Sequence, residues 1–594
     1  MSKNRYDVDE ALSNVTRKDT LKMLYKYLKP HFMKIFVALV FLFIISVIEL
    51  LPPYFTRIII DIAYPNKDIK LAIIITIVLI LSHITFMYLT KIKAKTIHVV
   101  GQSAIHDIRY DLFSHMQKLP FSYFDSRPLG KISVRIVNYI NSISNLLSNG
   151  IIDILAGVFS LIVILVFMFM MDVQFTFICL STFPIFMLIR TVLNKQHKKA
   201  WQKYSAKQSN LNAYIQENIS GMKVTQSFAR EEENAKIFAS LCKENRKYWM
   251  MAKFIELTIP LCSNVLYVAA TVAIYLSGAS RIENGLQVGI LIAFTSYISK
   301  FWAPISTITT YYNTIVNNFV YIDRICEMMN EPTVIHDKDG AVELPNIKGD
   351  VEFKNVTFKY EEDTPNILED VSFKVESGMS IALVGPTGAG KSTIINLISR
   401  FYDIQGGNIY IDGYDIKDVT LRSLRSQMGI MLQDSFLFSG TIGDNIRYGK
   451  PNATDEEVIQ AAKAVCAHDF IMSLPKGYDT EVTEKGKDLS AGQRQLIAFA
   501  RTLLKDPAIL ILDEATSSID TETELALQKG IEALMKDRTS FVIAHRLSTI
   551  KNSSKIMYIA DKSIAESGTH DELLEKNGKY ADLYHAQFKV LEKL

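Results

Sequence analysis

The chain has 594 residues, too many for one hydrophobic core, so several domains are expected. Its formal charge of +3 is close to neutral, which gives no support to nucleic-acid binding. The five cysteines (Cys179, Cys242, Cys262, Cys326 and Cys466) are odd in number and scattered, which excludes a disulfide framework and a zinc-ligand pattern.

Hydropathy divides the chain sharply. Residues 33 to 310 carry repeated apolar runs, whereas 340 to 594 read as a soluble α/β protein. The expected organisation is an N-terminal cytoplasmic segment over 1–32, a membrane domain over 33–325, a linker over 326–349 and a nucleotide-binding domain over 350–594. No cleavable signal is expected, because the first long apolar run continues as a full span. Thr20–Lys34 alternates Leu, Met, Tyr and Phe with Lys at near-helical spacing, as an interfacial helix on the inner leaflet would.

Six stretches have the roughly 20 apolar residues that a spanning helix needs. They lie near 33–56, 70–92, 148–170, 173–192, 256–280 and 286–310. The third carries only Asp153 as a charge, while the sixth holds Lys300 and several hydroxyls, as a helix lining a wet cavity would. Pro52–Pro53 are expected to distort the outer part of the first span. Glu49 and His83 lie within spans, where each either lines a transport path or is a satisfied packing residue. Glu256 and Asp153, near cytoplasmic span ends, read as structural.

Lysine and arginine set the orientation. Eight lie between Lys91 and Leu147 and thirteen between Arg190 and Ile255, whereas the opposite-side connections hold Lys67, Lys70 and Arg281. Both long loops and both termini are therefore expected in the cytoplasm, with the protein in the plasma membrane. Each loop has helical character with a break near its middle, at Pro120 to Gly130 and at Ser220–Gly221. Each reads as a helical hairpin whose tip, around Phe121–Arg127 or Gly221–Arg230, is placed to touch a cytoplasmic domain.

From Asp350 short apolar strands alternate with amphipathic helices, the pattern of an α/β nucleotide fold. Gly385 to Thr393 read GPTGAGKST and fit G-x-x-x-x-G-K-[ST] between a strand and a helical run. Gly388 and Gly390 let the backbone curl around an anion, and Lys391 adds charge for the β/γ-phosphates. The residues expected to hold ATP are Gly385, Thr387, Gly388, Ala389, Gly390, Lys391, Ser392 and Thr393. The Ser392 hydroxyl suits Mg²⁺. A second strand, Ala508–Leu512, leads to Asp513, a Mg²⁺ ligand directly or through water, and to Glu514, placed to activate the attacking water. A third, Phe541–Ala544, leads to His545. In open parallel sheets ligands sit beyond the carboxyl ends of the strands, so these groups could converge on one nucleotide.

Taken in order, the motifs closely resemble the cassette of ABC transporters, and the layout resembles a half-transporter of their multidrug and lipid exporter group. The resemblance implies that Tyr360 stacks on adenine and that Gln433 links Mg²⁺ to the membrane domain. It implies that Leu489–Gln493 (LSAGQ), with Ser490, Gly492 and Gln493, is the signature. It places Asp520 in the loop crossing to the partner cassette and makes His545 a catalytic γ-phosphate sensor beside Glu514. EVTEKG (Glu481–Gly486) resembles the loop that communicates with the membrane arms. Tyr123–Ile140 and Ser220–Glu232 resemble the two coupling regions.

The implied activity is ATP-driven export of a hydrophobic or amphipathic substrate (drug-like, lipid or peptide) across the bilayer by alternating access. Two such chains would make one transporter. The family signature is usually LSGGQ, and Ala491 at its third position favours a heterodimer over a homodimer. A membrane-anchored regulatory ATPase without a transported substrate is the alternative, and it would not need polar residues in several spans.

Overall fold

A computed structural model describes residues 17–127, 129–147, 151–283, 285–361, 364–431, 435–483, 486, 488–513, 521–543 and 550–587. They fall into two compact units, divided between Glu331 and Pro332, with the short stretch from Lys118 onward to Arg127 belonging to the second.

The first unit is helical. It contains α1 (Arg17–Leu28), α2 (Phe32–Ile58) and α3 (Ile69–Met116); α4 (Phe121–Asp125) belongs to the second unit. After it come α5 (Leu129–Val134), α6 (Ile140–Asn145), α7 (Ile151–Met171), α8 (Val173–Ser220), α9 (Met222–Ser227), α10 (Glu231–Ile282) and α11 (Val288–Met329). Among the described residues, six segments are long and apolar enough to cross a membrane. The third span begins at Ile151 in the structure, and the start expected at 148 lies outside the described residues.

Helices α3, α8 and α10 have 48, 48 and 52 residues. At 1.5 Å per residue each is about 70–80 Å long, more than twice a hydrocarbon core, so each span continues without a break into a hairpin arm. Sequence sets their ends. The Asp68 and Asp172 carboxylates accept from Leu71 N and Phe175 N and start α3 and α8, and Gly221 ends α8. Despite Pro52 and Pro53, α2 runs on to Ile58, and the distortion takes the form of a π-helical turn over Ile59–Ala63. In that turn the buried Asp61 carboxylate accepts from Gly289 N at 2.6 Å, capping α11 from another helix. Helix α1 buries Leu24 and Tyr27, donates from the Tyr27 hydroxyl to Asp111 at 2.7 Å and leaves Leu21 and Tyr25 exposed, as an interfacial helix would.

The second unit carries two main sheets. In chain order it has β1 (Val351–Phe358), β2 (Leu368–Val375), β3 (Ser380–Val384), α12 (Lys391–Ile398), β4 (Gly406–Ile411), β5 (Tyr414–Asp415), α13 (Leu421–Ser426) and β6 (Met428–Met431). There follow β7 (Gly440–Thr441), α14 (Ile442–Arg447), α15 (Asp455–Ala464), α16 (His468–Ser473), β8 (Glu481–Val482) and α17 (Ala491–Lys505). The remainder is β9 (Ile509–Asp513), α18 (Thr521–Met535), β10 (Thr539–Ile543), β11 (Lys555–Ala560), β12 (Ser563–Gly568), α19 (His570–Glu575) and α20 (Lys579–Gln587).

An antiparallel sheet runs β2-β1-β4-β5, and a mostly parallel sheet runs β12-β11-β3-β10-β9-β6. Strands β3, β9 and β10 are almost wholly buried, which is why Ile381–Val384, Ile509–Leu512 and Phe541–Ile543 read as continuous apolar runs without alternation.

Candidate nucleotide site

Register assembles the site. Strand β10 pairs in parallel with β3 on one side and β9 on the other, Ile543 facing both Leu383 and Asp513. Parallel neighbours lie about 4.8 Å apart. The phosphate loop after β3 and Asp513 at the end of β9 therefore emerge at one level, about 10 Å apart, with β10 between them.

The loop is built for an anion. Gly385 has φ +144°, and a Cβ there would clash with the Ile559 carbonyl oxygen. Gly390, at φ +105°, caps α12 with no side-chain hydrogen bond, so the first amides of that helix are left for a ligand. Lys391 Nζ donates to the carbonyls of Gly385 and Pro386 at 2.8 and 2.9 Å, folding the ammonium over its own loop. Burial pushes this ammonium below its ordinary pKa, while the nearby Asp513 carboxylate pulls it back up. A half-buried ammonium hydrogen-bonded to two carbonyls has strong reason to accept phosphate oxygens.

Tyr360 stands beside the loop. Its hydroxyl is 3.0 Å from Thr393 Oγ1, and its ring meets Phe358 and Tyr402 edge-on at 4.9 and 5.0 Å. Packing on those edges fixes the ring while leaving Tyr360 40% exposed, enough for a flat base to stack.

The residues Ser490–Gln493 lie elsewhere in the unit, at the start of α17. Ser490 accepts from Gln493 N at 3.2 Å and Gln493 Oε1 accepts from Ser490 N at 2.9 Å, a capping box. Gly492 is buried, and Ala491 is exposed at the first helical position. Glu481 and Val482 form β8 against β7. Gln433, Glu514, Asp520 and His545 lie outside the described residues.

The sequence places the first hairpin tip to touch a cytoplasmic domain, but not the residues that it meets there. Helix α4 lies against the end of the phosphate-loop helix: Phe121 stacks on Phe401 at 5.4 Å, and Tyr402 Oη donates to Asp125 Oδ2 at 2.6 Å. Burial first, and then that bond, raises the Tyr402 phenol well above its usual pKa. Arg425 covers the Phe401 ring at 5.0 Å. Tyr402 also touches Tyr360, so the first hairpin tip is one side chain away from the Tyr360 ring. An aromatic pair directly after α12 was the available signal.

Two families match the chain: the ABC transporter transmembrane region over residues 35–305 and the ABC transporter family over 368–517. An uncharacterized ABC transporter ATP-binding protein, YknV, of Bacillus subtilis is 40% identical, covering 98% of this chain and 97% of the relative. The chain belongs to the ABC transporters. An ATP-dependent lipid A-core flippase of Syntrophus aciditrophicus is 34% identical to this transporter over 99% of it and 98% of the relative. The solved structure of a bacterial Atm1-family ABC exporter with ATP bound aligns with a TM-score of 0.77 at 29% identity, covering 94% of the transporter and 98% of that chain. The transporter is thus an exporter-type half-transporter, a membrane protein whose ATPase cassette drives export, and such halves function as dimers.

Proposed function

We propose that two such chains form a transporter in the plasma membrane that exports a hydrophobic or amphipathic substrate, and that ATP is hydrolysed between one chain's phosphate loop and the other's signature. The observation that carries this reading is the placement of Lys391 over a loop whose helix N-terminus has no side-chain cap, at the level of Asp513.

Tyr360 would hold the adenine, and the loop amides from Gly385 through Thr393, with Lys391, the phosphates. Lys391 would leave its two carbonyls for phosphate oxygens and so steady the charge that develops during transfer. Ser392, Gln433 and Asp513 offer oxygen donors of the kind a hard divalent cation takes, and would hold Mg²⁺, which neutralises phosphate charge. Glu514 would take the proton of the attacking water, His545 would contact the γ-phosphate, and Asp520 would reach toward the partner cassette. The amides that the capping box leaves free at the start of α17, those of Ala491 and Gly492, would approach the partner's nucleotide, with the side chains of Ser490 and Gln493 beside them.

Because nucleotide touches both chains only when the cassettes close, its binding energy favours closure, and hydrolysis removes that preference. The α4 contact with Phe401 and Tyr402 gives the closing cassette a direct hold on the chain entering the third span. The other tip exposes Val224 and Phe228, 62% and 74% accessible, which a second chain's cassette would cover. The lysine and arginine bias supports a cytoplasmic cassette. Exposed Ala491 supports a heterodimer, since its methyl would stand where a signature helix must come close to phosphate. The functional domains are taken as 33–325 for transport and 350–594 for ATP.

The test is Glu514→Gln. ATP binding should be retained while turnover falls by about 10²-fold or more, in line with losing a general base. Undiminished hydrolysis in that variant removes the base assignment.

A further inference from the structure

The exposed faces of the spans differ in chemistry. Along α3 and α10 the outward residues are groups such as Ile77, Ile84, Leu257, Val265 and Leu276, which acyl chains can cover. Helix α11 differs. Its Phe294, Tyr297, Phe301 and Trp302 are buried, while Ser296, Ser299 and Ala303 face outward beyond the exposed Val288 and Ile292. A small, hydroxyl-bearing stretch beside a lysine packs against acyl chains less well than the aliphatic faces of α3 and α10, and suits a polar path.

Beside that stretch Lys300 Nζ lies 3.4 Å from Glu49 Oε1, the side chains 29% and 48% exposed. Glu49 is seventeen residues into α2 and Lys300 twelve into α11. At 1.5 Å per residue these are about 25 and 18 Å from the helix starts, deep in the span. Tyr297, one turn before Lys300, is fully buried and donates to the Leu50 carbonyl at 2.8 Å, next to Glu49. The two helices are therefore pinned where the charges meet.

We propose that the Glu49–Lys300 pair is the headgroup-recognition site of the transport path, and that it takes a zwitterionic amphiphile; this rests on the export reading above. A headgroup of one sign pairs with one member and orphans the other, which is costly inside a membrane. A headgroup with both signs replaces one ion pair by two, its cation on Glu49, the more accessible member, and its anion on Lys300. Ser296 and Ser299 add hydroxyl partners on the same face. Its tail extends along the apolar positions of the spans.

The experiment uses the full transporter dimer in proteoliposomes with ATP and three fluorescent probes. These are a short-chain phosphatidylethanolamine (zwitterionic), the matched phosphatidylglycerol (anionic) and a rhodamine cation. The wild type should move the zwitterion at least fivefold faster than either other probe. Glu49→Gln should shift preference about tenfold toward the anion and Lys300→Met about tenfold toward the cation. The double reversal E49K/K300E should return preference to the zwitterion. The proposal is overturned if the wild type does not move the zwitterion or prefers a singly charged probe. It is also overturned if both single variants lose all three probes equally, which marks the pair as a packing contact with a partner span. ATP-dependent movement of the rhodamine alone would sink this inference and leave the export reading intact. Equal transport of every probe with and without ATP would sink the export reading itself.

Discussion

In the proposed mechanism two helix N-termini of the cassette carry the phosphate chemistry, and they are finished in opposite ways. Helix α12 begins at Gly390 in a left-handed conformation with no side-chain cap, and a half-buried lysine folds across the mouth of its loop. Helix α17 begins at Ser490, whose side chain and that of Gln493 satisfy each other's backbone amides. The first end holds its donors in reserve within one chain, so it can bind nucleotide before any partner arrives. The second is stable by itself and offers only what its box leaves free, the outer amides around Ala491 and Gly492. Capture at one end and recognition at the other thus become separable steps, which suits a machine that must bind ATP open and hydrolyse it closed.

Breaking the reserved end should have the largest effect. Lys391→Ala removes the charge that meets the phosphates, and ATPase activity should fall by about 10²-fold or more, with nucleotide binding weakened in a fluorescence titration. Retention of tight ATP binding in that variant would dissolve the contrast between the two ends. Breaking the self-satisfied end should cost stability first. Ser490→Ala removes a cap worth about 1 kcal/mol, so the melting temperature of the cassette should drop while ATP affinity of the single chain stays within about twofold. A loss of affinity as large as that of Lys391→Ala would show that both ends hold the same nucleotide in one chain. The smallest effect sharpens the comparison. Ala491→Gly lets α17 approach more closely, and turnover at saturating ATP should rise by about threefold or less in the dimer, with no change in nucleotide affinity of the separate chain. A decrease would mean that the methyl aids the closed state.

Much of the molecule could be read locally. Spans are apolar runs of a length set by the bilayer, and the hairpin breaks at Pro120 and Gly221 are marked by residues that end helices. The phosphate loop is a contiguous motif, so Gly388, Gly390 and Lys391 were placed by spacing alone. Ser490 and Gln493 also lie within one helical turn, yet their mutual capping was hidden behind the family motif that they form. By contrast, the distortion expected at Pro52–Pro53 appears at Ile59–Ala63, because neighbouring helices, with Asp61 reaching Gly289, decide where the helix yields.

Chain order and residue type by themselves determined the six spans found among the described residues, the alternating α/β cassette and the glycine-rich loop before α12, because each depends on periods and caps no longer than a span. Tertiary structure alone decided which distant groups meet. Gly385 is required by the Ile559 carbonyl, Tyr402 finds Asp125 across 277 positions, and Glu49 finds Lys300 across 251. Such pairings follow from how helices and strands pack against one another, and packing depends on the combined shapes of surfaces that no short stretch of sequence contains.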